Sequence, residues 1–150
     1  MPEAPASRAA RLVLAFDYGL RRIGVACGDT LSATATPLAA VPAGPAGPQW
    51  PAIDALMRDW QPALAVVGLP YNADDSESAM TGAARSFAGE LQARYRLHVE
   101  LIDERYSSLE AHERLRQARE EGVRKRRVSK ADIDATAACI ILERWIGEHS

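Results

Sequence analysis

The run Arg11-Leu-Val-Leu-Ala-Phe-Asp17 is apolar at nearly every position and then stops on a carboxylate. A strand with one wet face would alternate polar with apolar residues. An unbroken apolar run instead needs cover on both faces, so it predicts a central strand with helices packed on either side. Ala63-Leu-Ala-Val-Val-Gly-Leu-Pro70 repeats the pattern and is ended by proline.

The rest of the chain fits around these two runs. Tyr18 to Arg22 contains Gly19 and reads as a turn, and Ile23-Gly-Val-Ala-Cys-Gly28 alternates large with small residues at the period of a strand. Thr34 to Val41 is a third strand, giving an antiparallel meander. Pro42 to Pro48 is a loop by its proline and glycine content. Trp50 to Trp60 carries Ile53, Leu56, Met57 and Trp60 at helical spacing, with Pro62 as the stop. Beyond Pro70, Tyr71 to Ser78 is a polar loop in which Asn72, Ser76 and Ser78 read as turn and capping residues, with contact to a substrate as the other reading. Met80, Ala84, Phe87, Leu91 and Tyr95 mark one face of a long helix, and Leu97 to Asp103 is another strand. Ser107 with Glu110 opens a charged helix to about Glu121, and Ser129 with Asp132 opens a last helix to about Gly147. The order predicts an α/β fold, a mixed sheet with helices on both faces. Residues 1–10 read as a disordered leader and 11–147 as a single domain.

Composition removes several classes of function. The chain of 150 residues can bury a core without staples. Its longest apolar runs stop after about eight residues, too few for a membrane span, and no secretory signal opens it. Cytoplasm is the default location. Cys27 and Cys139 lie apart in apolar segments, which argues for packed thiols and against zinc. The net charge of −2 does not advertise a nucleic-acid partner, but Arg124, Lys125, Arg126, Arg127 and Lys130 fall in one short stretch.

The acids end the strands. Asp17 closes the first buried run, and Asp103 with Glu104 closes the last strand. Ligands of open mixed sheets gather outside strand ends, where these acids are expected. Asp134 is the third candidate. Ala138, Ile141 and Trp145 follow it on one helical stripe, which is expected to face the sheet. Asp132 stands about 200° away and suits a capping role, and Glu143, about 180° away, should be solvated. Carboxylates gathered in one cleft repel unless cations lie between them, and oxygen-only ligands select Mg²⁺ or Mn²⁺ over zinc. Two such ions activate water against a phosphodiester without a nucleophilic side chain. His98, His112 and His149 read as surface residues. Taken singly, Asp17 is also a turn former and Asp134 a cap. The apolar setting of Asp17 and the stripe position of Asp134 favour a site.

Four blocks stand in order: Leu14-Ala-Phe-Asp-Tyr-Gly-Leu-Arg-Arg-Ile-Gly-Val-Ala26, Val66-Val-Gly-Leu-Pro-Tyr-Asn72, Asp103-Glu-Arg-Tyr-Ser107 and Asp134-Ala-Thr-Ala-Ala-Cys-Ile-Ile-Leu-Glu143. Through them the chain, from about Leu12 to Trp145, resembles the YqgF-type family of precursor 16S ribosomal RNA nucleases and resolvase-like proteins, within the RNase H-like superfamily. The resemblance implies a five-stranded mixed sheet and a catalytic, metal-binding site of Asp17, Glu104 and Asp134. It also implies Mg²⁺ or Mn²⁺ as cofactor and a nuclease that matures the 5′ end of pre-16S rRNA in ribosome biogenesis. Superfamily nucleases usually carry their second acid on the fourth strand, which here ends Gly68-Leu69-Pro70 without one. The Asp103-Glu104 pair supplies it instead. Strand alternation sends these two side chains to opposite faces without saying which face holds the site; the resemblance favours Glu104, with Asp103 as the alternative. Asp75 stands where the family often has glycine.

Arg21, Arg22 and Arg105 lie beside the acids in sequence and can grip phosphate bidentately; a pair of Arg105 with Asp103 is the other reading. The basic stretch ending at Lys130 points to backbone-dominated, salt-sensitive binding of nucleic acid. The expected partner is pre-rRNA or branched DNA, with no membrane, and the chain acts as a monomer or a homodimer. Two other readings compete: a Holliday-junction-resolvase-like DNA nuclease, and a nucleic-acid or ribosome-associated binding protein of weak chemistry. A sugar-kinase or actin-type phosphotransferase also opens on Asp-x-Gly, but it needs two related domains, and no repeat is present.

Overall fold

Strand β1 (Leu12–Asp17) has Val13, Leu14, Ala15 and Phe16 fully buried, which is what an apolar run covered on both sides requires. In the computed structural model, which describes residues 12–72, 74–105, 107–121 and 129–149, β1 lies between β2 (Arg22–Asp29), antiparallel to it, and β5 (Leu64–Leu69), parallel to it. Outside these come β3 (Thr34–Gly44) and β4 (Gly47–Pro48) on one side and β6 (His98–Asp103) on the other, giving the order β4-β3-β2-β1-β5-β6. The helices are α1 (Trp50–Trp60), α2 (Ala79–Tyr95), α3 (Ser107–Glu120) and α4 (Lys130–His149). The expected leader, residues 1–10, lies outside the described residues.

The mixed α/β sheet stands as expected, but it has six strands, not five. The Pro/Gly stretch read as a loop is the reason. Strand β3 runs past Val41 to Gly44, and the chain then doubles back so that Ala43 pairs with Pro48 and Gly44 with Gly47. Gly47 sits at φ 101°, a left-handed conformation that glycine adopts without steric cost. Pro48 is tolerated because an edge strand has no further ladder to donate to.

Alternation along the central strands divides the core in two. Leu14, Phe16, Val25 and Val67 point to the face covered by α1 and α2, where Ile53, Phe87 and Leu91 meet them. Val13, Ala15, Ala26 and Val66 point to the other face and pack under Ala138, Ile141, Leu142 and Trp145 of α4. Each large side chain so buried contributes roughly 1.5–3 kcal/mol. Helix α3 packs on the back of α4 through Ala111, Ala137 and Ile140.

Glycines bring α4 close to the sheet. A Cβ at Gly24 would stand 1.9 Å from the carbonyl oxygen of Asp134, one at Gly28 2.7 Å from Leu142 Cδ2, and one at Gly68 2.7 Å from Ile141 Cδ1. The helix start is set by Ser129 and Asp132. Asp132 accepts from the Ser129 backbone N–H at 2.9 Å, and Ser129 Oγ accepts from the Asp132 N–H at 3.1 Å, a reciprocal cap. Among the described residues, no helix is long and apolar enough to cross a membrane.

Candidate active site

The C-terminal ends of the parallel strands β1, β5 and β6 lie side by side, and the acids converge there. Asp17 has the parity of Val13 and Ala15, so it belongs to the α4 face. Its cross-strand partner is Gly24, the residue on which the backbone of Asp134 rests. The absent side chain at Gly24 is thus what lets the first turns of α4 carry Asp134 down to Asp17.

Glu104 arrives from the other side. Its N–H donates to the carbonyl of Leu69 at 3.1 Å, holding it beside the end of β5. It shares the parity of Ile102, which packs under α4, and its side chain lies over Gly68 with only 6% exposed. Asp103 takes the opposite parity and is exposed. Arg105 donates to it from Nη2 at 2.7 Å and from its backbone N–H at 3.1 Å. These bonds, the side-chain one foremost, hold the Asp103 carboxyl below its ordinary range. Of the two adjacent acids, Glu104 is the one whose charge reaches Asp17.

Asp17 stands buried among like charges. Burial first, then Glu104 and Asp134, push the Asp17 carboxyl well above the usual carboxylate value. Asp134 has a partner in Arg22, whose Nε donates to Oδ2 at 2.5 Å across a half-buried pair. The donor set is carboxylate oxygen alone, the chemistry of a hard divalent cation, and a cation would relieve the repulsion at Asp17. As placed, no three His, Cys, Asp or Glu side chains among the described residues close on a single point able to hold an ion.

The basic candidates divide. Arg21 is exposed beside the centre, and Arg22 is tied to Asp134. Arg105 spans Asp103 and, at 2.8 Å, Asp75, and lies 5.7 Å from the Tyr71 ring centroid. Lys130 is exposed at the first turn of α4. Arg124, Lys125, Arg126 and Arg127 lie outside the described residues. Ser78 caps α2 with Thr81, and Asn72 donates to Ser76 Oγ at 2.9 Å, so these loop residues serve the local backbone. His98, His112 and His149 are exposed, and Cys27 and Cys139 are free thiols. Gly24 and Gly68 were not singled out as site residues from sequence. The signal for them is a glycine inside an otherwise apolar strand, which marks close approach of another element.

Comparison with known proteins agrees with this architecture. A protein of Xanthomonas campestris pv. campestris (strain 8004) named "Putative pre-16S rRNA nuclease" is 47% identical over 146 residues, 97% of this chain and 94% of that one. A protein of the same name from Francisella philomiragia subsp. philomiragia is 42% identical over 137 residues, 91% of this chain and 97% of that one. Among solved structures, T. thermophilus RuvC in complex with Holliday junction substrate shares the fold. Its TM-score is 0.52 at 14% identity, over 93% of this chain and 95% of that one. The family described as "RuvX: Holliday junction resolvase" matches residues 11–148. With the match running from β1 through α4, the chain belongs to the RuvX Holliday junction resolvase family.

Proposed function

We propose that this protein is a divalent-metal-dependent nuclease that hydrolyses phosphodiester bonds at the Asp17, Glu104 and Asp134 centre, with the 5′ region of pre-16S rRNA as its substrate. The observation that carries the reading is that Glu104, from the end of β6, and Asp134, from α4, come near enough to Asp17 at the end of β1 for both to raise its carboxyl. The names of the relatives support nuclease chemistry and the RNA substrate.

Asp17, Glu104 and Asp134 would hold Mg²⁺ or Mn²⁺. The bound ions would supply Lewis-acid polarisation of the phosphodiester and a water acidified toward neutral pH. The chain's own part is positional. The packing of α4 on Gly24 fixes the backbone of Asp134, and Gly68 makes room for Glu104. Arg22 orients Asp134 and presents a guanidinium toward the cleft, where a phosphate can share it. Exposed Arg21 and Lys130 draw the polyanion in.

Asp17→Asn, Glu104→Gln and Asp134→Asn should each lower Mg²⁺-dependent cleavage of a 5′-extended rRNA stem by about a hundredfold or more, with the fold unchanged by circular dichroism. Cleavage at the parent rate by all three would remove the assignment. A branched DNA substrate is the second reading, favoured by the family description. The same assay with a four-way junction separates the two.

A further inference from the structure

Beside Asp134, on the side facing α3, lies a cavity of about 320 Å³ lined by Arg22, His112, Lys130, Ile133 and Asp134. Three chain segments far apart in sequence build it: the start of β2, the middle of α3 and the first turn of α4. Its polar lining is unevenly committed. Asp134 and Arg22 hold each other, whereas Lys130 and His112 make no hydrogen bond or ion pair among the described residues. On the same helices Arg85, Arg94, Arg114 and Arg116 are each paired with a carboxylate. Two nitrogen donors without acceptors, facing one hollow beside an arginine, make a receptor for an anion.

We propose that this cavity receives a backbone phosphate of the bound nucleic-acid strand, adjacent to the one at the acids, with Lys130 and His112 as its donors and Arg22 shared between the two positions. The proposal rests on the nuclease reading for its ligand. It adds α3, through His112, to the nucleic-acid surface. His112 also borders a second hollow along α3 with Leu109, Glu113, Arg116 and Arg119. Phosphate contacts of this kind carry no base preference and position the strand.

The test is binding without cleavage. Fluorescence anisotropy with a labelled four-way DNA junction and a labelled 5′-extended RNA stem, in EDTA, reads affinity whether or not the protein cuts. His112→Ala and Lys130→Ala should each weaken binding by about threefold to tenfold. Lys130→Ala should also lower the slope of log K against log salt by about one. Arg58→Ala, which removes an exposed charge near the opposite strand ends, is the control. Unchanged affinity in both cavity variants, or an equal loss in Arg58→Ala, overturns the subsite. Binding is read in EDTA and cleavage separately in Mg²⁺, so the subsite and the nuclease assignment fail independently.

Discussion

Glu104 stands over Gly68: a Cβ built on Gly68 would lie 2.4 Å from Glu104 Cγ and 2.8 Å from Glu104 Cβ. Gly68 pairs in register with Ile102 of β6, two residues before Glu104. The Glu104 side chain, from the end of β6, therefore fills the space that a side chain on β5 would take.

Gly68→Ala should displace Glu104 and press on Ile141, destabilising the fold by about 1–3 kcal/mol and depressing cleavage. Gly68→Asp combined with Glu104→Ala relocates the acid to β5 and should recover part of the cleavage lost in Glu104→Ala alone. Urea denaturation and junction cleavage read the two effects. Full activity in Gly68→Ala would contradict the described packing.

Gly24→Ala should be worse than Gly68→Ala. The atom that a Cβ would meet is the Asp134 carbonyl oxygen, at 1.9 Å, and a helix backbone cannot rotate aside as a side chain can. A loss of about 3 kcal/mol or more is expected. Near-ultraviolet circular dichroism, which senses Trp145 buried under α4, should report the displaced helix.

Much of this arrangement could be read from residue order alone. The unbroken apolar runs located β1 and β5, and the stripe from Asp134 to Trp145 correctly named the buried side of α4. Helix α1 runs from Trp50 to Trp60 as its spacing predicted. The β3–β4 hairpin was hidden because proline and glycine mark a tight turn and a loop alike, and only the pairing partner distinguishes them. The choice between Asp103 and Glu104 stayed open for a related reason. Alternation separates the two side chains, but which face α4 would cover is a tertiary fact, written in glycines on other strands.

Asp17 sets a pH dependence in metal-chelated protein. Burial, then Glu104 and Asp134, raise its carboxyl well above the ordinary carboxylate range, so the folded form holds this proton more tightly than the unfolded chain does. Stability from this group is fully present below the unfolded value and is lost as pH rises through the folded one. Asp17→Asn escapes that loss. It should melt above the parent at neutral pH, with the gap closing toward acid. Scanning calorimetry across pH in EDTA checks this, and a gap that widens toward acid would be the wrong sign.

Asp75 adopts φ 73° and pairs with Arg105 at 2.8 Å. Its backbone favours glycine, while its carboxylate anchors the loop to the arginine that also grips Asp103. Asp75→Gly should leave stability within about 0.5 kcal/mol, because relief of the left-handed conformation offsets a weak exposed pair. Asp75→Ala loses the pair and keeps the strain, so it should fall about 1 kcal/mol below Asp75→Gly. Thermal melts of the two variants decide it.

Helix α4 is both the lid of one core and the carrier of Asp134. In synthesis it is the last of these elements to emerge, after the strands that bear Asp17 and Glu104. A growing polypeptide would thus present two acids and a bare sheet face, and would acquire its third acid only on sealing that face. Assembly of the acidic cluster and closure of that sheet face would then be a single event.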